Sequence, residues 1–135
     1  MKIWSLEEAN KTLPHLREIL SVLIEENKRA DLAREALIEL EERIKGDGAG
    51  MERELEYRKE RLLESLAKVR QGLEQISRMG CQVKDLEIGL IDFPAIINER
   101  QVLLCWQMGE PAVLYWHDMD KGFTARQLIP SDAFG

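Results

Sequence analysis

The sequence predicts an α+β protein: a long antiparallel helical hairpin, coiled-coil-like, followed by a small three- to four-stranded antiparallel sheet. Two observations carry this. Apolar residues recur every three or four positions before Gly80 and every second position after Leu90, the marks of a helix face and of a pleated strand. Glycines at 46, 48 and 50 divide the first region in two, and a short break between two long helices makes them antiparallel neighbours.

The first helical seam reads Leu6, Ala9, Leu13, Leu16, Leu20, Leu23, Ala30, Leu37 and Ile44, which is the spacing of packed helices. Ser5 is positioned as an N-cap, with Glu7 and Glu8 at the positive end of the helix dipole. Pro14 cannot donate to residue 10 and disfavours helix at Leu13. The expected organisation of residues 1–80 is therefore a short lead-in helix, a main helix over 14–45, a loop at 46–50 and a helix over 51–79. Leu55, Leu62, Leu66, Val69, Leu73, Ile76 and Met79 form the second seam, and Gly80 suits a helix stop. Pairs such as Glu54–Arg58 and Glu64–Lys68 mark solvated faces. Asn27, Arg34 and Glu41 interrupt the first seam. A lone polar residue in a seam, here Asn27, often sets oligomer state. Each helix of a lone hairpin buries one stripe, so a homodimer through the hairpin, closing a four-helix bundle, is expected.

Residues 81–135 are expected to form the sheet subdomain packed on the helices. Leu90–Ile97, Gln101–Met108 and Ala112–His117 read as strands, with Phe123–Ile129 as a fourth. Asn98-Glu99 and Gly109-Glu110 stand where two-residue turns belong. Pro94 makes the first of these strands an edge or bulged one. This register puts Ile97 opposite Arg100, Asp92 opposite Cys105, Trp106 opposite Val113 and Leu104 opposite Tyr115. It also puts Asp92 and His117 on opposite faces, and a slip of one residue would exchange every assignment.

Composition narrows the function classes. Of the net charge of −6, residues 1–80 contribute −2 and residues 81–135 contribute −4. No basic excess serves nucleic acid or an anionic membrane surface. No apolar run approaches the ~18 residues of a membrane span, and the N-terminus has no secretory h-region. Cys81 and Cys105 form no CxxC pair and are expected as buried thiols in a reducing cytoplasm.

Several residue patterns carry a resemblance. GLIDFP at Gly89–Pro94, LCW at Leu104–Trp106, Gly109-Glu110, Tyr115-Trp116-His117, Gly122-Phe123 and Arg126-Gln127 fall in the second half. Leu6-Glu7-Glu8-Ala9-Asn10 and Leu13-Pro14 fall in the first. Together they resemble a prokaryotic family catalogued as a domain of unknown function, number twenty-two-oh-three. The resemblance implies a small bacterial or archaeal cytoplasmic protein and no particular activity. Relatives in that family often carry Gly before the arginine at position 100, where this chain has Glu99.

The candidate binding residues are Asp92, Arg100, Glu110, Trp116, His117 and Arg126. Asp92 stands in an apolar run, where a carboxylate needs a partner. Arg126 and Arg100 are the cations available in this half, and an Asp–Arg pair beside Trp116 would either anchor an anion or pin strand order. His117 could act as a base beside carboxylates. Glu110 reads as a turn residue. No HxxH, HExxH or CxxC motif is present, so a zinc site would need residues far apart in sequence to converge. No cofactor and no metal are expected. The reading is a non-enzymatic homodimeric interaction module that offers its sheet to a protein or small ligand. The alternative is a small enzyme or ligand-binding protein with a polar site around Asp92, His117 and Arg126.

Overall fold

The computed structural model describes residues 1–45 and 50–133. Helix α1 spans Leu6–Ile44 and α2 spans Glu52–Met79. A five-stranded antiparallel meander follows: β1 Gln82–Asp85, β2 Leu90–Ile97, β3 Arg100–Gln107, β4 Tyr115–Asp118 and β5 Gln127–Leu128, adjacent in that order. The α+β class and the helical hairpin are as expected. The loop anticipated at 46–50 lies outside the described residues except for Gly50, whose φ is +85°.

The N-terminus of α1 is closed reciprocally. The Ser5 hydroxyl accepts from Glu8 N–H at 3.1 Å, and Ser5 N–H donates to the Glu8 carboxylate at 3.1 Å. That donation, with Lys2 beside it, holds the Glu8 carboxyl below the usual range. The lead-in helix is not found, because α1 runs unbroken through Pro14. The lost backbone bond costs roughly 3 kcal/mol. Leu13, Leu16 and Leu20, all but fully buried around it, recover roughly 1.5–3 kcal/mol each, and the ring itself faces solvent.

The buried face of α1 rotates along its length. Ala9, Leu13, Leu16, Leu20 and Leu23 share one core with Phe93, Leu104 and Trp106 of the sheet, while Ala30 and Leu40 are buried outside that core. The sheet therefore covers only the first half of α1. Asn27, Arg34 and Glu41 continue the line of Leu13 and Leu20 at seven-residue steps, and they are polar because the sheet has ended. The buried polar residue between the helices is Glu26 rather than Asn27. Its carboxylate meets Arg29 at 3.1 Å and Lys68 of α2 at 3.8 Å.

Gly80 ends α2 in the left-handed conformation, φ +98°, and its carbonyl accepts from the Trp4 indole at 2.9 Å. Strand β1 is not among the strands that the apolar spacing predicts. It is short, mostly polar and bulged between Val83 and Asp85, so it carries little alternation to detect. Gln82 pairs with Asp92, the last residue of β2 that β1 reaches. Pro94 thus lies beyond the end of β1, and its carbonyl accepts from Trp4 N–H at 2.7 Å. A residue's N and O point to the same side of a strand, so the missing donor of Pro94 falls where no strand is waiting.

The β2–β3 hairpin has the expected two-residue turn and register, Ile97 opposite Arg100 and Asp92 opposite Cys105. Asn98 and Glu99 both adopt positive φ, +50° and +64°, as a type I′ turn requires. Glutamate is poorly suited to that conformation, at a cost of about 1–2 kcal/mol. Glu99→Gly is expected to raise stability by about 0.5–1 kcal/mol, after allowing for the extra freedom glycine gains in the unfolded chain. A higher urea midpoint at unchanged slope would show it, and a lower midpoint would contradict the turn assignment.

The β3–β4 connection differs from expectation. Gly109-Glu110 is not a two-residue turn, because β4 begins only at Tyr115. Val113 N–H donates to the Asn10 side chain at 2.8 Å, and the Arg17 guanidinium donates to the carbonyls of Glu110 and Pro111. Helix α1 therefore takes the hydrogen bonds a hairpin would have used. The register moves by one residue: Leu104 faces Trp116, Leu103 faces His117 and Cys105 faces Tyr115. The expected fourth strand over Phe123–Ile129 is a 3₁₀ turn at Phe123–Ala125 followed by the two residues of β5.

Candidate functional site

The one-residue shift decides which side chains meet. Trp116 now lies on the helix side with Leu104 and Phe93, while His117 joins Asp92 and Cys105 on the outer side. The expectation that Asp92 and His117 lie on opposite faces is thereby corrected. His117 Nε2 stands 3.2 Å from Asp92 Oδ1, and Asp92, Cys105 and His117 are each buried to within 2% of complete. His117 Nδ1 lies 2.8 Å from the Asp118 carbonyl, an acceptor only, so Nδ1 carries a hydrogen. Nε2 therefore points at the carboxylate with one proton between them. The expected Asp92–Arg pair is replaced by this Asp92–His117 pair.

Arg126 reaches the same face from the segment that follows β4. Its guanidinium forms two parallel bonds with the Glu110 carboxylate, at 2.9 and 2.8 Å, the planar fork arrangement arginine favours. It lies 4.0 Å from the Tyr115 ring centroid and 4.3 Å from that of Phe123, within cation–π range. Burial works against its charge, but the Glu110 carboxylate outweighs burial and holds the guanidinium above its ordinary pKa. Glu110 also accepts from Gln107 N–H at 2.6 Å. It is thus more than a turn residue: it caps the end of β3 and clamps Arg126. Asp118, on the neighbouring strand, bonds Arg100.

Of the six candidates, the structure gathers Asp92, His117, Arg126 and Glu110 on the outer face. Arg100 and Trp116 are elsewhere, with Arg100 exposed and 5.6 Å from the Trp116 ring. The residue underrated from sequence is Cys105. Burial, and the Asp92 carboxylate next to it, push its thiol up to about 12, with Arg126 opposing them. Burial pushes Cys81 up to about 11. Both are free thiols rather than a disulfide, and a protonated, buried thiol is a poor nucleophile. A signal for Cys105 was already in the sequence, since the β2–β3 turn set it opposite Asp92. His117 joins them only because the β3–β4 connection is longer than a two-residue turn.

Chemically, this arrangement is a set of buried charges that answer one another. Among the described residues, every fully buried side-chain nitrogen and oxygen has a hydrogen-bond partner. Surface depressions lie elsewhere, among them the groove between α1 and α2 near Leu23 and Gly72 and a hollow between the start of α1 and Leu128–Ser131.

Fold and site together define a hairpin-and-meander α+β protein with a buried Asp–His–Cys cluster under an arginine clamp. The sequence profile of the family described as uncharacterized conserved protein (DUF2203) matches residues 2–129, and the chain belongs to that family. No curated protein and no solved structure matches it. No helix among the described residues is long and apolar enough to cross a membrane.

Proposed function

We propose that this protein is a non-enzymatic, homodimeric interaction module of the cytoplasm, in which a second copy covers the outer half of the helical hairpin and the sheet is left to meet a protein or small ligand. The observation that carries this reading is the unfinished seam. Beyond Ala30, α1 continues for roughly 20 Å at 1.5 Å per residue, and Leu40 is its one fully covered side chain there. On the facing stretch of α2, Leu55, Leu62 and Leu66 are only half-buried, and burial begins at Val69. Leu32, Ile38, Tyr57 and Leu63 are exposed on the same half.

Two hairpins packed side by side would complete this stripe as a four-helix bundle. Antiparallel docking of like surfaces is self-complementary, as a two-fold dimer requires. The paired charges of the outer sheet face favour a structural over a catalytic use. The free cysteines suit a reducing compartment.

Light scattering at high micromolar concentration is expected to give twice the chain mass of 15.6 kDa. Ile38→Glu with Leu63→Glu, both at exposed positions, should weaken the dimer at least tenfold while leaving the helical circular dichroism unchanged. A monomeric wild-type protein would remove the basis of the reading.

A further inference from the structure

We infer that Asp92, Cys105 and His117 form a binding site for one divalent, zinc-class metal ion that staples β2, β3 and β4 together. A carboxylate oxygen, the Cys105 sulfur and an imidazole nitrogen all lie within 4.8 Å of one another, each from a buried residue. Around a tetrahedral zinc such atoms stand about 3.3–3.6 Å apart. The Asp92–His117 contact is already 3.2 Å, so a modest side-chain adjustment closes the set.

Three further features suit a metal. First, the His117 Nδ1 hydrogen is committed to the Asp118 carbonyl. This is the outer-shell bond that orients a ligating imidazole and turns Nε2 toward the ion. Second, the ligands are rigid: Asp92 and Cys105 face each other across the β2–β3 ladder, and His117 comes from the neighbouring β4. Third, the charges balance. Thiolate and carboxylate together cancel a divalent ion, while Arg126, the cation beside them among the described residues, is already answered by Glu110. Sulfur, imidazole and carboxylate as a set favour zinc over magnesium or calcium, which prefer all-oxygen sites. Three protein ligands leave a fourth position for water.

The test uses the full chain carrying Cys81→Ser, which removes the thiol that bonds the Ile76 carbonyl away from the cluster. After equilibrium dialysis against Zn(II), elemental analysis should find one ion per chain, and chelation should lower the Tm by several degrees. Co(II) in its place should give visible bands of a four-coordinate ion and a sulfur-to-metal charge-transfer band. Adding Cys105→Ala should abolish that band and weaken binding at least tenfold. Less than a tenth of an ion per chain would overturn the inference, as would bound cobalt without the sulfur band. The cobalt spectrum of the Cys105-containing protein decides the matter even if Cys105→Ala does not fold. Neither result depends on whether the hairpin dimerises.

Discussion

Replacing Asp92 by Leu is expected to cost roughly 3–5 kcal/mol, a large share of a domain's usual ~5–15 kcal/mol. The carboxylate is the partner of a buried ring nitrogen, and removing it strands that nitrogen where water cannot reach. His117→Leu should cost a similar amount, because it strands the carboxylate and also deprives the Asp118 carbonyl of its donor. In the metal-free protein the double substitution is expected to be far milder than the sum. Two leucines would add to an outer face that already buries Leu90, Pro94 and Leu103, leaving mainly the Asp118 carbonyl to account for, about 1 kcal/mol. A coupling of about 2 kcal/mol or more should therefore appear in a urea double-mutant cycle. Additive costs would mean that the two side chains do not depend on each other in solution.

That pair was within reach of the sequence up to one step. The change of apolar spacing around Gly80, the Ser5 cap and the Asn98-Glu99 turn are all local. Each depends on residues a few positions apart, and each is found where its chemistry implies. The Asp92–Cys105 juxtaposition follows from the Asn98-Glu99 turn alone. His117 did not follow, because its register depends on the β3–β4 connection. That connection is held by Asn10 and Arg17, about a hundred residues upstream. Gly109-Glu110 has the composition of a tight turn, yet tertiary hydrogen bonds from α1 draw the chain out of the hairpin path. Pro14 fails in the converse way: local chemistry argues for a break, and the buried leucines on either side outweigh it. The polar interruptions at Asn27, Arg34 and Glu41 look like a seam with specificity residues when read along the helix. They become an ordinary solvated face once the sheet is seen to stop short of them.

Trp106 joins these tertiary links, and Trp106→Ala is expected to cost about 3–5 kcal/mol, the range for deleting a buried large aromatic. Its ring is completely buried, and its indole N–H donates to the Glu110 carbonyl at 3.0 Å. The same carbonyl accepts from Arg17, whose guanidinium lies 5.7 Å from the Trp106 ring. The indole thus fixes Glu110 from the core side while the Glu110 carboxylate holds Arg126 on the outer side. Trp106→Phe separates the two contributions. It keeps most of the ring but gives up the hydrogen bond, so roughly 1–2 kcal/mol should be lost. Because Glu110 would then be held by fewer bonds, the Phe variant should also loosen the Arg126 clamp over Cys105. Faster hydrogen exchange of the Gln107 amide, which the Glu110 carboxylate caps, would report this while global unfolding stays slower than the local opening. If the Phe variant loses stability but Gln107 exchanges as in the wild type, the indole stabilises the core alone, and the turn holds the clamp without it.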